Sequence, residues 1–394
     1  MDRRVDRRTV VAGMGAFGLM AVGAKAQGLG PMPSSPVALN VIDVAGNLAL
    51  SQKSIDAYRQ QNAKLVSRIA YTKAPAPELA SKLKAQQSAN RVDIDIVLTG
   101  TDGLFAGIEQ QLWQELLPQY AGALPKPEDI YDVGALKMQA LAKGQGMEIA
   151  YSPSGPLFEY MPGRVKKVPK TADELLAYAR ENKNRFLYAR PANSGPGRTF
   201  LMGLPYLLGD KDPSDPVKGW DKTWAYLKAL GENIEYYPSG TGQTMKELGD
   251  GTRDMIVSTV GWYINPRVLG IVPKEAGLFA LDGFHWVSDA MFFAVPKGVA
   301  PEKLPVIIDL LKHMLKPEQQ AFAYDEGYFY PGPSVKASTL AMAPKESQEV
   351  IKEFGWPDYD RLIGAAPLEI QLQADQLVAA FRRWDEEIGG AKRK

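Results

Sequence analysis

Two histidines, His285 and His313, and no cysteine are what this sequence of 394 residues holds for nucleophilic or soft-metal chemistry. A thiolate nucleophile, a Cys-ligated zinc, an iron–sulfur cluster and a disulfide scaffold are excluded by count. A Ser–His hydrolase or a His-based metal site has almost no material to work with. What remains is capture by hydrogen bonds. Thr99–Gly103, Asn193–Gly197 and Ser239–Gly242 are rich in Gly, Ser, Thr and Asn. Such residues are ordinary caps and turns. They also let a ligand approach the unpaired N–H groups at a helix start. Their recurrence at successive strand-to-helix turns points to a polar, hydrogen-bonding cleft. Phosphate loops do not fit: Gly195-Pro196-Gly197-Arg198 lacks the Gly-Lys-Ser/Thr of a Walker motif, and Gly240-Thr241-Gly242 lacks the third glycine of a dinucleotide fingerprint.

A second set of residues suits an organic ligand. Tyr151, Trp262 and Trp286 fall beside strand ends or extended crossings, and Tyr328 and Tyr330 fall in the segment Asp325–Pro331. Aromatic walls combined with a carboxylate suit a cationic amine. Asp43, Asp102 and Asp289 are the carboxylates best placed for that, though Asp residues also serve as caps and surface charges. The Tyr236-Tyr237 pair could suggest phenolate-bound ferric iron, but an alternating strand would send the two rings to opposite faces. His285 beside Trp286 reads as a structural histidine. No cofactor and no metal are expected.

These residues need a scaffold of alternating strands and helices. Val37–Val44, Val66–Tyr71 and Asp93–Leu98 read as strands, with helical patterns at Ser51–Gln61, Ala76–Asn90 and Leu104–Gln111. A second series follows: strands at Arg185–Ala189, Ile234–Tyr237 and Asp254–Thr259, helices at Thr199–Leu208, Trp220–Leu230 and Gln243–Leu248. Alternation of this kind argues βαβ units and mainly parallel sheets. Two extended stretches, Met147–Met161 and Trp286–Pro296, read as strands passing between two halves. From Leu304 the pattern is mostly helical.

The charge is balanced, with 46 Lys and Arg against 45 Asp and Glu and a formal net of +1, which gives no footing for nucleic-acid binding. Residues 1–26 combine a charged start, an apolar run from Val10 to Ala24 and an Ala24-Lys25-Ala26 cut site, which is the layout of a secretory signal. Arg7-Arg8 gives it a twin-arginine character, although Asp6 and Val10-Val11 depart from the usual flanks. Removing its five basic and two acidic side chains takes the net charge to −2.

Four segments carry a resemblance: Glu78–Leu83, Val92–Gly100, Asp250–Ile256 and the return-strand sequence Ala294-Val295-Pro296-Lys297-Gly298. Through them the chain resembles bacterial periplasmic solute-binding proteins of ABC importers, in the extracellular solute-binding family 1 group near the iron, thiamine and polyamine binders. The likeness spans about Val37 to Lys336. It implies a type II, two-lobed α/β fold, with a five-stranded, helix-flanked sheet in each lobe and crossover strands between them. Lobe one would be residues 37–152 and 288–345, lobe two 153–287, with helices of 346–394 packing across both. It implies ligand contacts near Asn47, Thr101, Asp102, Ser194, Gly195, Gly240 and Thr241. Tyr151, Trp262, Trp286 and Asp289 are the further candidates at the lobe junction. The implied function is capture of a small polar solute, a polyamine or other organic cation among the options, in the periplasm by a monomer that docks on an inner-membrane permease. Sugar derivatives and anions stay open as ligands. An enzyme on the same fold and a ligand-presenting sensor are the competing functions.

Overall fold

The computed structural model describes residues 28–74, 76–390 and 392, so the expected export leader lies outside the described residues. Among the described residues ten strands form two sheets. The first contains β1 (Val37–Asp43), β2 (Val66–Lys73), β3 (Ile96–Gly100), β4 (Met147–Gly155), β9 (Trp286–Ala294) and β10 (Leu368–Glu369). The second contains β5 (Leu157–Tyr160), β6 (Phe186–Leu187), β7 (Met255–Ser258) and β8 (Gly277–Phe279), in the order β6-β7-β5-β8. Both are flanked by helices. Among the described residues no helix is long and apolar enough to cross a membrane.

The strands alternate with helices as the apolar runs dictate. Ile96, Val97 and Leu98 are completely buried, as expected of a strand covered on both faces. β1 pairs in parallel with β2 and β3. Among the described residues the antiparallel ladders between strands all involve β9 or β5, the strands that flank the two crossings: β9 with β3 and β4, β5 with β7 and β8. The crossings run from β4 to β5 through Pro156 and from β8 to β9 through residues 280–285.

The sheets hold six and four strands, where the family resemblance implies five in each. β4 and β9 both remain in the first sheet. Ile234–Tyr237 forms no ladder, because its surroundings take its hydrogen bonds elsewhere. Tyr237 N–H donates to the Lys392 carbonyl at 3.3 Å, and the neighbouring Pro238 carbonyl accepts from Arg190 N–H at 2.9 Å.

β9 organises the molecule. β4 runs along one edge of it. On the other edge β3 pairs with Met291–Ala294 and β10 with Trp286–Val287. Between β3 and β10 this edge is filled by a side chain: Gln371 Nε2 donates to the Ser288 carbonyl at 3.2 Å. After β10 the chain forms a C-terminal strap. Helix Ala374–Trp384 crosses to the second sheet's helices, where Trp384 packs on Tyr237 at 4.9 Å and donates through Nε1 to the Tyr188 hydroxyl at 3.1 Å. Arg190 lies over the Trp384 ring and pairs with Asp385.

Candidate functional site

A cavity of about 820 Å³ opens where β3 ends and the helices of both sheets begin. Gly100 closes β3 and serves as N-cap of helix Thr101–Glu109. Ser194 caps helix Gly195–Leu208 by accepting from Gly197 N–H at 3.1 Å, and Thr259 caps helix Val260–Val268 by accepting from Trp262 N–H at 3.4 Å. Helix Thr241–Gly249 starts at Gly240 without a side-chain cap. The first turns of these four helices put Asp102, Gly195, Thr241 and Trp262 on the lining. A hydrogen bond of 2.7 Å joins Ser194 Oγ to Thr241 Oγ1 and couples two of the starts.

Asp289 is the buried charge of the site. Its Oδ1 accepts from Gln371 Nε2 at 2.7 Å and from Ala290 N–H at 3.0 Å. Its Oδ2 faces Gly195, where an added Cβ would stand 3.5 Å away. Burial raises its carboxyl pKa above the ordinary aspartate value, the Arg198 guanidinium opposes that rise, and the nearby Asp102 carboxylate adds to it. Arg198 Nη1 donates to Thr101 Oγ1 at 3.1 Å, and Thr101 donates to Gln371 Oε1 at 2.6 Å. Arg198, Thr101, Gln371 and Asp289 thus form one chain of hydrogen bonds from the second sheet's helices, through the first sheet, to the strap.

The aromatic wall comes from two distant segments. Trp262 meets Tyr328 edge to face at 5.7 Å. Their approach needs Gly261, whose hypothetical Cβ would lie 2.1 Å from the Tyr328 carbonyl oxygen. Gly46, at φ +77, makes similar room for the Tyr328 hydroxyl. Burial pushes the Tyr328 phenol up to about 12, with Asp43, Asp289 and Asp325 contributing.

Tyr328 of the candidate aromatics lines the cavity, and so do Asp102, Gly195, Thr241, Trp262 and Asp289 of the eleven residues named as ligand contacts or lobe-junction candidates. The other six do not. Asn47 is wholly buried behind the first turn. Thr101 and Ser194 sit one layer back, holding Gln371 and Thr241. Gly240 is the cap beside the lining residues Ser239 and Thr241. Tyr151 is buried with its hydroxyl 3.0 Å from Ser288 Oγ. Trp286 is fully buried, its indole N–H donating to the Leu362 carbonyl at 3.1 Å, so its ring is core and not wall.

Other candidates are committed to structure. Asp43 accepts from the N–H groups of Ala45, Asn47 and Leu48 at 2.9–3.0 Å. His285 pairs with Glu369 at 2.9 Å and stacks on Tyr206. Tyr330 packs against Tyr324 and Tyr359. Tyr236 hydrogen-bonds the Glu247 carboxylate while Tyr237 packs on Tyr188 and Trp384, so the two phenols serve different clusters. Among the described residues no group of three or more His, Asp or Glu is placed to hold a metal ion.

Sequence reasoning missed Arg198, Glu109 and the strap residues Ala374, Leu377, Val378 and Phe381 of the lining, and Gln371 behind it. Glu109 had a signal, since it shares a helix face with Asp102 at i, i+7. Gln371 had none, because its partner Thr101 is 270 residues away. On the cavity lining the charged groups are Asp102, Glu109 and Asp289 against Arg198.

The sequence profile of a family described as bacterial extracellular solute-binding protein matches residues 53–351. No characterised protein matched in the sequence search. Solved structures show the same fold. The periplasmic binding protein AfuA of Actinobacillus pleuropneumoniae, with fructose-6-phosphate bound, superimposes with a TM-score of 0.61 at 17% identity, over 89% of this chain and 98% of that one. A periplasmic thiamin binding protein gives 0.61 at 15% identity, over 93% and 100%. A putative spermidine/putrescine ABC transporter protein of Listeria monocytogenes gives 0.58 at 17% identity, over 88% and 99%.

Proposed function

The chain belongs to the bacterial extracellular solute-binding protein family, and from that premise we propose that it captures a small organic cation in the periplasm for an ABC permease. The observation that carries the choice of ligand is the excess of carboxylates, Asp102, Glu109 and Asp289 against Arg198, around a cavity walled by Trp262 and Tyr328. The positive ends of four helices face the same space, but Ser194 and Thr259 cap two of them and Asp102 lies in the first turn of a third. Those hydroxyl caps carry no charge, so the balance rests on three carboxylates against one guanidinium. Two of the similar structures carry organic cations in their names, which agrees with this choice.

Residues 37–152 with 288–345 act as one lobe and 153–287 as the other, and the helices of 346–394 pack across both. A ligand touching Asp102 and Asp289 on one side and Gly195, Thr241 and Trp262 on the other gains contacts only when the lobes close. That difference in affinity is what shifts the population toward the closed form. The ligand leaves unchanged, so turnover plays no part.

A thermal-shift panel tests the reading. Putrescine, spermidine, thiamine and phenethylamine form one arm, and fructose-6-phosphate and inorganic phosphate the other. A ligand at 100 times its dissociation constant adds about 2.7 kcal/mol of stability, a rise of several degrees. We expect that rise in the amine arm. A rise confined to the phosphate arm would refute the cation assignment.

A further inference from the structure

The wall facing the carboxylates comes from the strap. Helix Ala374–Trp384 places Ala374, Leu377, Val378 and Phe381 on the cavity lining, an i, i+3, i+4, i+7 set and therefore a single helix face. Helix Thr101–Glu109 places Asp102, Phe105, Ala106 and Glu109 on the same lining at the same spacing. The charges on this second face sit at its ends, and Phe105 and Ala106 occupy its middle. Two apolar strips therefore border one space, with Asp102 and Glu109 at the ends of one of them. The strap strip carries no side-chain acceptor that could replace the water around an ammonium group. Val378 stays 47% exposed although it lines the cavity, an apolar surface left open within a site. The strap is pinned on both sides of this face, by Gln371 at Asp289 and by Trp384 at Tyr188 and Tyr237. In this conformation the strip is therefore held against the cavity from both ends.

We propose, resting on the cation reading above, that the ligand is an amphiphilic amine: an ammonium head at Asp102 and Asp289, and an apolar body lying between Phe105 and the Leu377–Phe381 face. Val378 is then a specificity-determining residue. A short polyamine charged along its whole length fits this cavity poorly, because the strap wall would strip water from its distal ammonium and return no acceptor. An aromatic or branched body gains from burial on the same wall.

Calorimetric titration of the full protein with phenethylamine and with putrescine tests this. Phenethylamine is expected to bind at least about tenfold more tightly than putrescine, a difference that one buried ring can supply. Val378→Asp should weaken phenethylamine by at least about tenfold and leave putrescine unchanged or tighter, because the new carboxylate is the acceptor that the wall lacks, while Val378→Leu keeps phenethylamine binding. Val378 is exposed enough for these changes to leave the fold intact, which circular dichroism checks. Equal affinity for the two amines, or one common factor lost with Val378→Asp, overturns the amphiphile proposal and leaves the cation reading standing. Binding of neither amine alongside binding of fructose-6-phosphate overturns both.

Discussion

Replacing Asp289 by Asn isolates the charge that the cation reading depends on. The substitution preserves shape: the amide oxygen can still accept from Gln371 Nε2 and Ala290 N–H, and the new amino group takes the place of Oδ2 opposite Gly195. What changes is the charge of the site, since Arg198 is then opposed by two lining carboxylates, Asp102 and Glu109, and not by three. A charge-assisted hydrogen bond in a shielded site is worth about 1.5–3 kcal/mol, so amine affinity should fall by about 10- to 150-fold. The empty protein should not lose stability, because burial already disfavours the Asp289 carboxylate. Its raised pKa adds a second signature. As pH falls, the wild-type protein should lose amine affinity at a higher pH than an ordinary aspartate would dictate. Asp102, Arg198, Gln371 and Tyr328 are the groups facing this carboxyl. Titration calorimetry with phenethylamine over a pH series reads both effects. Amine affinity that is unchanged or tighter in Asp289→Asn would refute the reasoning.

Two further predictions concern the scaffold. Glu159 is wholly buried, its Oε2 accepts from Ser258 Oγ at 3.0 Å, and burial pushes its carboxyl up to about 8 against the pull of Ser258 and Arg267. Unfolded, it ionises near 4.5, so between those values the native state holds a proton that the unfolded chain releases. Stability should therefore fall as pH rises through this window, by up to about 1.4 kcal/mol per unit. Glu159→Gln should remove that slope in urea unfolding, and an identical slope in both proteins would exclude Glu159 as its source. Trp384→Ala removes a fully buried anchor and should cost about 3–5 kcal/mol in unfolding free energy and loosen amine binding. Unchanged binding in that variant would show that the strap wall holds its place without the anchor.

The alternation of strands and helices was legible because its signals are local. Ile96–Leu98 is an apolar run with a Gly-Thr-Asp-Gly turn behind it, and the strand, turn and helix follow in that order. The same local chemistry led to Asp102, Gly195 and Thr241, all at helix starts on the lining. Trp286 shows where such reasoning stops. It lies beside a crossing, as expected, but whether its ring faces the cavity or the core depends on Phe284, Tyr359 and the Leu362 carbonyl, which pack around it. Ile234–Tyr237 has the composition of a strand, and its fate was decided by Lys392 from the far end of the chain. The strap wall could not be read at all. An amphipathic pattern over Ala374–Trp384 announces a helix with a buried face, and nothing in it says that half of that face borders a cavity.

The strap also bears on how far the molecule can gape. Besides the two crossings, it is a third tie between the sheets, fastened at β10 and Gln371 on one and at Trp384 on the other. Swinging the halves apart must either turn about the short stretch between Gln371 and Ala374 or tear Trp384 from its aromatic bed. The first route costs little but limits the amplitude, so the jaws of this protein should part over a shorter arc than two crossings alone would permit.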